Sequence, residues 1–154
     1  MSVIDDRLAA LGIEIPHQAA APAGTYVPAV ISGGYVYTAG QLPFVAGSLP
    51  ATGKVGAEVT ADDAHEYARI AAINALAAIA ALIGSLDRVT RVVKVVGFVA
   101  SDPGFFGQPG VLNGASEMLG AIFGDAGVHA RSAVGVAVLP LNSPVEVELI
   151  VEFA

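Results

Sequence analysis

The order of apolar patterns along the chain predicts an α+β fold: a mixed β-sheet with two helices on one face, built in the order β-β-α-β-α-β-β. Three observations carry this expectation. Two long Ala-, Ile- and Leu-rich stretches, about 61–83 and 109–123, repeat their apolar residues at helical spacing. Residues 145–153 alternate apolar and mostly acidic side chains at the period of a strand. Gly33-Gly34 separates two β-branched and aromatic runs, which is the signature of a tight hairpin. No internal repeat, linker or low-complexity tail interrupts the 154 residues, so one domain is expected, with residues 1–20 as an N-terminal extension.

Residues 3–11 form a short amphipathic helix with Val3, Ile4, Leu8 and Leu11 on one side, and Gly12 ends it. Residues 13–25 are rich in Ala and Pro and read as an extended lead-in. The hairpin pairs Ala29 to Ile31 with Tyr35 to Ala39, and a Gly- and Pro-punctuated loop follows over 44–58. Thr60 is placed to cap the first long helix, with Asp62 and Asp63 at the positive end of its dipole and Gly84 after its end. Its apolar face is read as Ile70, Ile73, Leu76, Ala77, Ala80 and Ile83. Residues 91–100 form a strand with little polar alternation, which predicts cover on both faces. The second helix turns Val111, Leu112, Ala115, Leu119 and Ile122 inward and breaks over Gly124 to Val128. Residues 131–138 and 145–153 are read as two strands of a second hairpin, joined through LPLNSP, so that two hairpins flank one central strand.

Composition narrows the function classes. The chain is 55% hydrophobic and only 14% charged, against about 45–50% and about 25% in an ordinary globular domain. So few charges cannot cover the surface of a small protein, which predicts apolar patches buried between copies in a homo-oligomer. The net charge is −7, and the seven basic residues are scattered, which excludes a basic stripe for nucleic acid or an anionic membrane surface. There is no cysteine, hence no disulfide, thiolate nucleophile or cysteine-ligated metal. The N-terminus lacks the basic and apolar regions of a signal peptide, and the apolar run from Ile70 to Gly84 is shorter than a membrane span; both predict a cytoplasmic protein with a buried core helix.

Arg131 is the most informative single residue. It is the only basic residue after Lys94, and it opens an apolar strand whose same-face neighbours are the small Ala133, Gly135 and Ala137. Two readings stand open: an ion pair with Glu146, Glu148 or Glu152 on a partner strand, or a guanidinium fork aimed at a ligand carboxylate. The three glutamates share one strand face opposite Val145, Val147, Leu149, Val151 and Phe153, so one of them could activate a water while the others are solvated. His17, His65 and His129 form no set with metal-ligand spacing, so no metal is expected; His65 reads as a surface residue and His129 as a loop residue near Arg131. No nucleotide-binding glycine motif and no serine nucleophile elbow is present.

The segments APAGTYVPAV, YVYTAGQLP, TGKV, the helix with Asn74, RVVKVVGFV, VLN, ARSAVGVAVLP and VEVELI occur in this order. Over about residues 20–153 the chain thereby resembles the RidA/YjgF family of reactive enamine and imine deaminases and their relatives. The resemblance implies a chorismate-mutase-like fold assembled as a homotrimer, with an inner barrel and ligand clefts between subunits. It implies that Arg131 holds the substrate carboxylate and Glu146 positions the attacking water. It further implies that the Ala133 backbone meets the substrate nitrogen side, that Tyr26 and Asn113 line the cleft, and that Gly40 makes a tight strand-end turn. Hydrolysis of a 2-imino acid to a 2-keto acid and ammonium needs no cofactor beyond such a set. The chain departs from the family pattern at Ala133, Ala39 and Ser116, where cysteine, serine and tyrosine are usual, and in its N-terminal extension. A deaminase, a non-catalytic binder of small carboxylates and, third, a ribonuclease therefore stand as alternatives.

Overall fold

A computed structural model describes all 154 residues. Three helices, α1 (Val3–Leu11), α2 (Ala61–Ile83) and α3 (Gln108–Phe123), and five strands, β1 (Ala29–Ser32), β2 (Tyr35–Thr38), β3 (Val89–Ala100), β4 (Ala130–Val136) and β5 (Val145–Phe153), follow one another in the predicted order. The strands form one sheet in the order β1-β2-β5-β3-β4. Only β3 and β4 run parallel; every other neighbouring pair is antiparallel.

Local chemistry sets the element ends. The Thr60 hydroxyl accepts from the Asp63 amide, and Gly84, with φ +89, closes α2 in the left-handed region that a side chain would disfavour. Ser2 and Asp5 form a reciprocal capping box on α1. The face that α2 buries differs from the expected one. Its fully enclosed residues are mainly alanines, Ala64, Ala68, Ala71, Ala72 and Ala75, with Leu76 and Ile79, whereas Ile70, Ile73 and Ala80 are only half-buried. The cause is a helix clamped between the sheet and α3: a Cβ on Gly114 would collide with the His65 carbonyl, so the two helices approach at backbone distance and only small side chains fit the seam. By length and apolarity α2 could cross a membrane, yet it is the core helix of this fold.

The C-terminal strands correct the sequence reading. β4 and β5 are not a hairpin. β3 lies between them, pairing with β4 on one side and β5 on the other, and the 137–144 connection crosses over its end. β5, not β3, is the middle strand. Apolar residues in both strands fit either arrangement, so their alternation could not say which neighbour each would take.

The two faces of the sheet differ. Val36, Val92, Val95, Val99, Val147, Leu149 and Val151 point at α2 and α3 and are fully buried. The opposite face carries Tyr35, Tyr37, Val96, Phe98, Val134 and Ile150 together with Glu146, Glu148 and Glu152, and no element of the chain covers it. The expected cover on both faces of β3 is thus present on one face only. α1 packs Ile4 and Leu8 onto its own chain's core beside α3, and Arg7 Nη1 donates to the Ile122 carbonyl at 2.9 Å; Val3 and Leu11 stay exposed. Two members of the helix's apolar side thus find cover without a second copy.

Candidate functional site

Arg131 sits on β4 beside Val95 of β3, and so on the helix-covered face of the sheet. Its side chain reaches α3. Nη1 donates to Asn113 Oδ1 at 2.8 Å and to Ser116 Oγ at 3.2 Å, and Nη2 donates to the Pro109 carbonyl at 3.3 Å. None of the three strand glutamates pairs with it, so the ion-pair reading of Arg131 falls. Three of its five donors are used, all on neutral acceptors, and Nε–H and one Nη2–H are left: the number a bidentate carboxylate takes. The charge stays uncompensated, which suits an incoming anion.

Ala133 lies two residues on and packs its methyl against the core. β4 is an edge strand, and the Val136 carbonyl accepts from Ser101 on the β3 side. Alternation along the strand then turns the amide and carbonyl of Ala133 to the unpaired edge, where a ligand can use them. The space next to Gly135 is filled by the Gln108 amide and the Ser101 hydroxyl.

Glu146 belongs to a second cluster. It pairs with Phe98 on the uncovered face, and it lines a small cleft of about 60 Å³ with Tyr26, Pro28, Gly40, Phe44 and Pro140. Gly40 is tight for a steric reason, since a Cβ there would lie 2.6 Å from Glu146 Cδ. The Tyr26 hydroxyl accepts from the Ala23 amide at 3.1 Å, which folds the lead-in over this cleft. Burial pushes the Glu146 carboxyl above its ordinary range, and the neighbouring Glu148 charge adds to the rise. Burial raises Glu148 as well. A carboxylate with a raised pKa is a stronger base toward water.

The six residues singled out by sequence therefore fall into two groups. Arg131, Asn113 and Ala133 gather at the β4 edge and α3; Tyr26, Gly40 and Glu146 gather around the cleft at the start of β5. Arg131 and Glu146 point to opposite faces of one sheet, with β3 between their strands. One chain does not bring them together. No three His, Asp or Glu side chains gather at metal-ligand spacing.

The contacts of two groups went unread in the sequence. The first is Asn74, buried in α2, whose amide donates to the carbonyls of Leu42 at 2.9 Å and Phe44 at 3.1 Å and so fixes the segment that follows Gly40. A lone asparagine inside an alanine-rich helix was its only signal. The second is the pair Ser116 and His129: Nε2 of the ring lies 2.9 Å from Ser116 Oγ, and Nδ1 lies 2.7 Å from the Gly127 carbonyl. The place of Ser116 on α3, eight residues before the break at Gly124 and on the Arg131 side, could have suggested it. His65 is a surface residue as expected, 3.5 Å from Glu117.

Comparison with known proteins places the whole chain. Residues 5–153 match the family described as "YjgF/chorismate mutase-like, putative endoribonuclease". Protein TCP17 of Trypanosoma cruzi is 46% identical over 160 residues, covering 99% of this chain and 98% of TCP17. The crystal structure of Atu1372 from Agrobacterium tumefaciens, of unknown function, superimposes with a TM-score of 0.90 at 44% identity over 99% of this chain and 93% of that one. E. coli TdcF with bound serine gives a TM-score of 0.65 at 25% identity over 90% and 96% of the respective chains. Atu1372 thus matches nearly the full length, extension included, while TdcF leaves a tenth of it unmatched. On the match over 5–153 and on these relatives, the chain belongs to the YjgF/chorismate mutase-like family.

Proposed function

We propose that the protein hydrolyses reactive 2-imino and enamine acids to 2-keto acids and ammonium, in clefts that form between the copies of a homotrimer. The observation that carries the reading is the division of the site. Arg131 keeps two donors and a full charge free on one side of the sheet, and Glu146 stands half-buried in a cleft on the other. Neither half does the chemistry alone, and a second copy supplies the missing half. The uncovered apolar sheet face gives copies a reason to associate, since exposed patches of this kind are otherwise costly in water.

In the joined cleft the free edge of the Arg131 guanidinium fixes the substrate carboxylate, and with it the direction from which C2 can be attacked. Glu146 takes a proton from water as the water oxygen bonds to C2. Glu146 returns that proton to nitrogen to give the tetrahedral carbinolamine, then takes the carbinolamine hydroxyl proton and passes it to nitrogen as the C–N bond breaks, so the carbonyl forms and ammonia leaves. The Ala133 backbone on the open edge is placed to hold the nitrogen side. No cofactor enters these steps. That TdcF holds serine, a small molecule with a carboxylate, is consistent with a ligand of this class.

A non-catalytic carboxylate sensor is the second reading. It is favoured by Ala39 and Ala133, which bring no polar side chain to the site, and by Ser116, which is committed to Arg131 and His129. An amino-acid oxidase that generates imines in the presence of the protein separates the two. Keto-acid release accelerated by wild type and lost, about tenfold or more, in Arg131→Ala supports the deaminase. Saturable binding of 2-keto acids without turnover leaves the sensor.

A further inference from the structure

We infer that Ser116 and His129 are positioning residues that hold the Arg131 guanidinium from behind and so set the affinity of the site for a carboxylate. The inference rests on the reading of Arg131 as the carboxylate-holding group.

The hydrogen bonds have a direction. The Gly127 carbonyl can only accept, so His129 Nδ1 carries the proton that donates to it at 2.7 Å. In the tautomer that bond selects, Nε2 is the acceptor, and Ser116 Oγ–H donates to it at 2.9 Å. Ser116 Oγ is left as an acceptor, and Arg131 Nη1 donates to it at 3.2 Å. Each group in the chain fixes the next.

The chain is also anchored at its far end. Gly127 is buried, and a Cβ there would lie 2.5 Å from the Leu119 carbonyl oxygen, so its backbone is seated directly on α3. Ser116, Asn113 and Pro109 belong to the same helix. A single rigid element therefore sets the guanidinium plane through Asn113, Ser116 and Pro109, and the 124–129 turn braces it through His129. A carboxylate in this position would orient the arginine equally well but would neutralise it. Neutral acceptors orient it and leave its charge to the ligand. Pre-organisation of this kind lowers the entropy lost on binding.

The test uses the full-length protein and two readouts, imine-hydrolysis kinetics and calorimetric titration with pyruvate as the simplest 2-keto acid. Ser116→Ala and His129→Phe are expected to raise KM and the pyruvate Kd together, by about five- to tenfold, with kcat within about twofold of wild type. Ser116→Thr, which keeps the hydroxyl, restores both. The double variant is no worse than either single one, because the two side chains act as one chain. Loss of kcat at unchanged KM, effects that add in the double variant, or failure of Ser116→Thr to rescue would each overturn the positioning role. Arg131→Ala separates this from the underlying reading. If it abolishes pyruvate binding while Ser116→Ala does not weaken it, only the role of Ser116 and His129 fails; if Arg131→Ala binds like wild type, the carboxylate site itself is refuted.

Discussion

Glu146 and Glu148 project from alternate positions of one strand onto the uncovered face, and burial raises both carboxyl groups while Glu148 adds its charge to the rise at Glu146. If Glu146 deprotonates water, activity falls as pH drops through that raised value, so the acid limb of kcat/KM lies above the ordinary carboxylate range. Glu148→Gln removes the neighbouring charge and moves the limb to lower pH; a limb unmoved in the variant argues against Glu146 as the base. Stability carries the matching sign. A carboxyl raised in the folded state favours folding at low pH, below its unfolded value, and that contribution is lost as pH rises through the folded value. Glu148→Gln therefore raises the melting temperature at neutral pH and flattens its decline between acid and neutral conditions.

The elements show what in the sequence was legible. α2 was readable to the residue because Thr60 and Gly84 mark its ends chemically. The hairpin of β1 and β2 was readable because Gly33 supplies the positive φ of its turn. The neighbours of β4 and β5 were not readable, since strand pairing depends on which apolar faces meet in three dimensions, and both strands are apolar enough for several partners. The alanine seam of α2 was missed for a related reason: hydropathy favours Ile70 and Ile73, but close approach to α3 admits only small side chains. Asn74 has a consequence at this scale. Asn74→Ala leaves the Leu42 and Phe44 carbonyls without their donor, which costs about 1–3 kcal/mol. That corresponds to a drop of roughly 2–10 °C in melting temperature. The same change loosens the segment after Gly40 and lowers kcat through Glu146, whereas an intact kcat would show that the segment holds without it.

At the scale of the molecule, two facts point the same way. The chain has too few charges to cover itself, and its sheet keeps one apolar face that no helix covers. Val96 stands near the middle of that face opposite Glu148 and is half-buried in the single chain. Val96→Asp sets a second carboxylate beside Glu148, and sedimentation is expected to give trimers for wild type and monomers for the variant, with helical circular dichroism retained. A variant that stays trimeric would place the interface elsewhere. Arg131 and Glu146 were legible in the sequence as candidates, but their placement on opposite faces was not, because nothing in the order of residues states that β3 would separate their strands.

The division of the site between copies is the central claim, and mixing two inactive variants tests it most directly. Arg131→Ala and Glu146→Gln each lack one half of every cleft. Co-refolded in equal amounts, they assemble at random, and about a quarter of all clefts receive an intact Arg131 from one copy and an intact Glu146 from another. Imine hydrolysis recovered to about that fraction of the wild-type rate is the predicted result. A mixture as inactive as its two components would contradict the account.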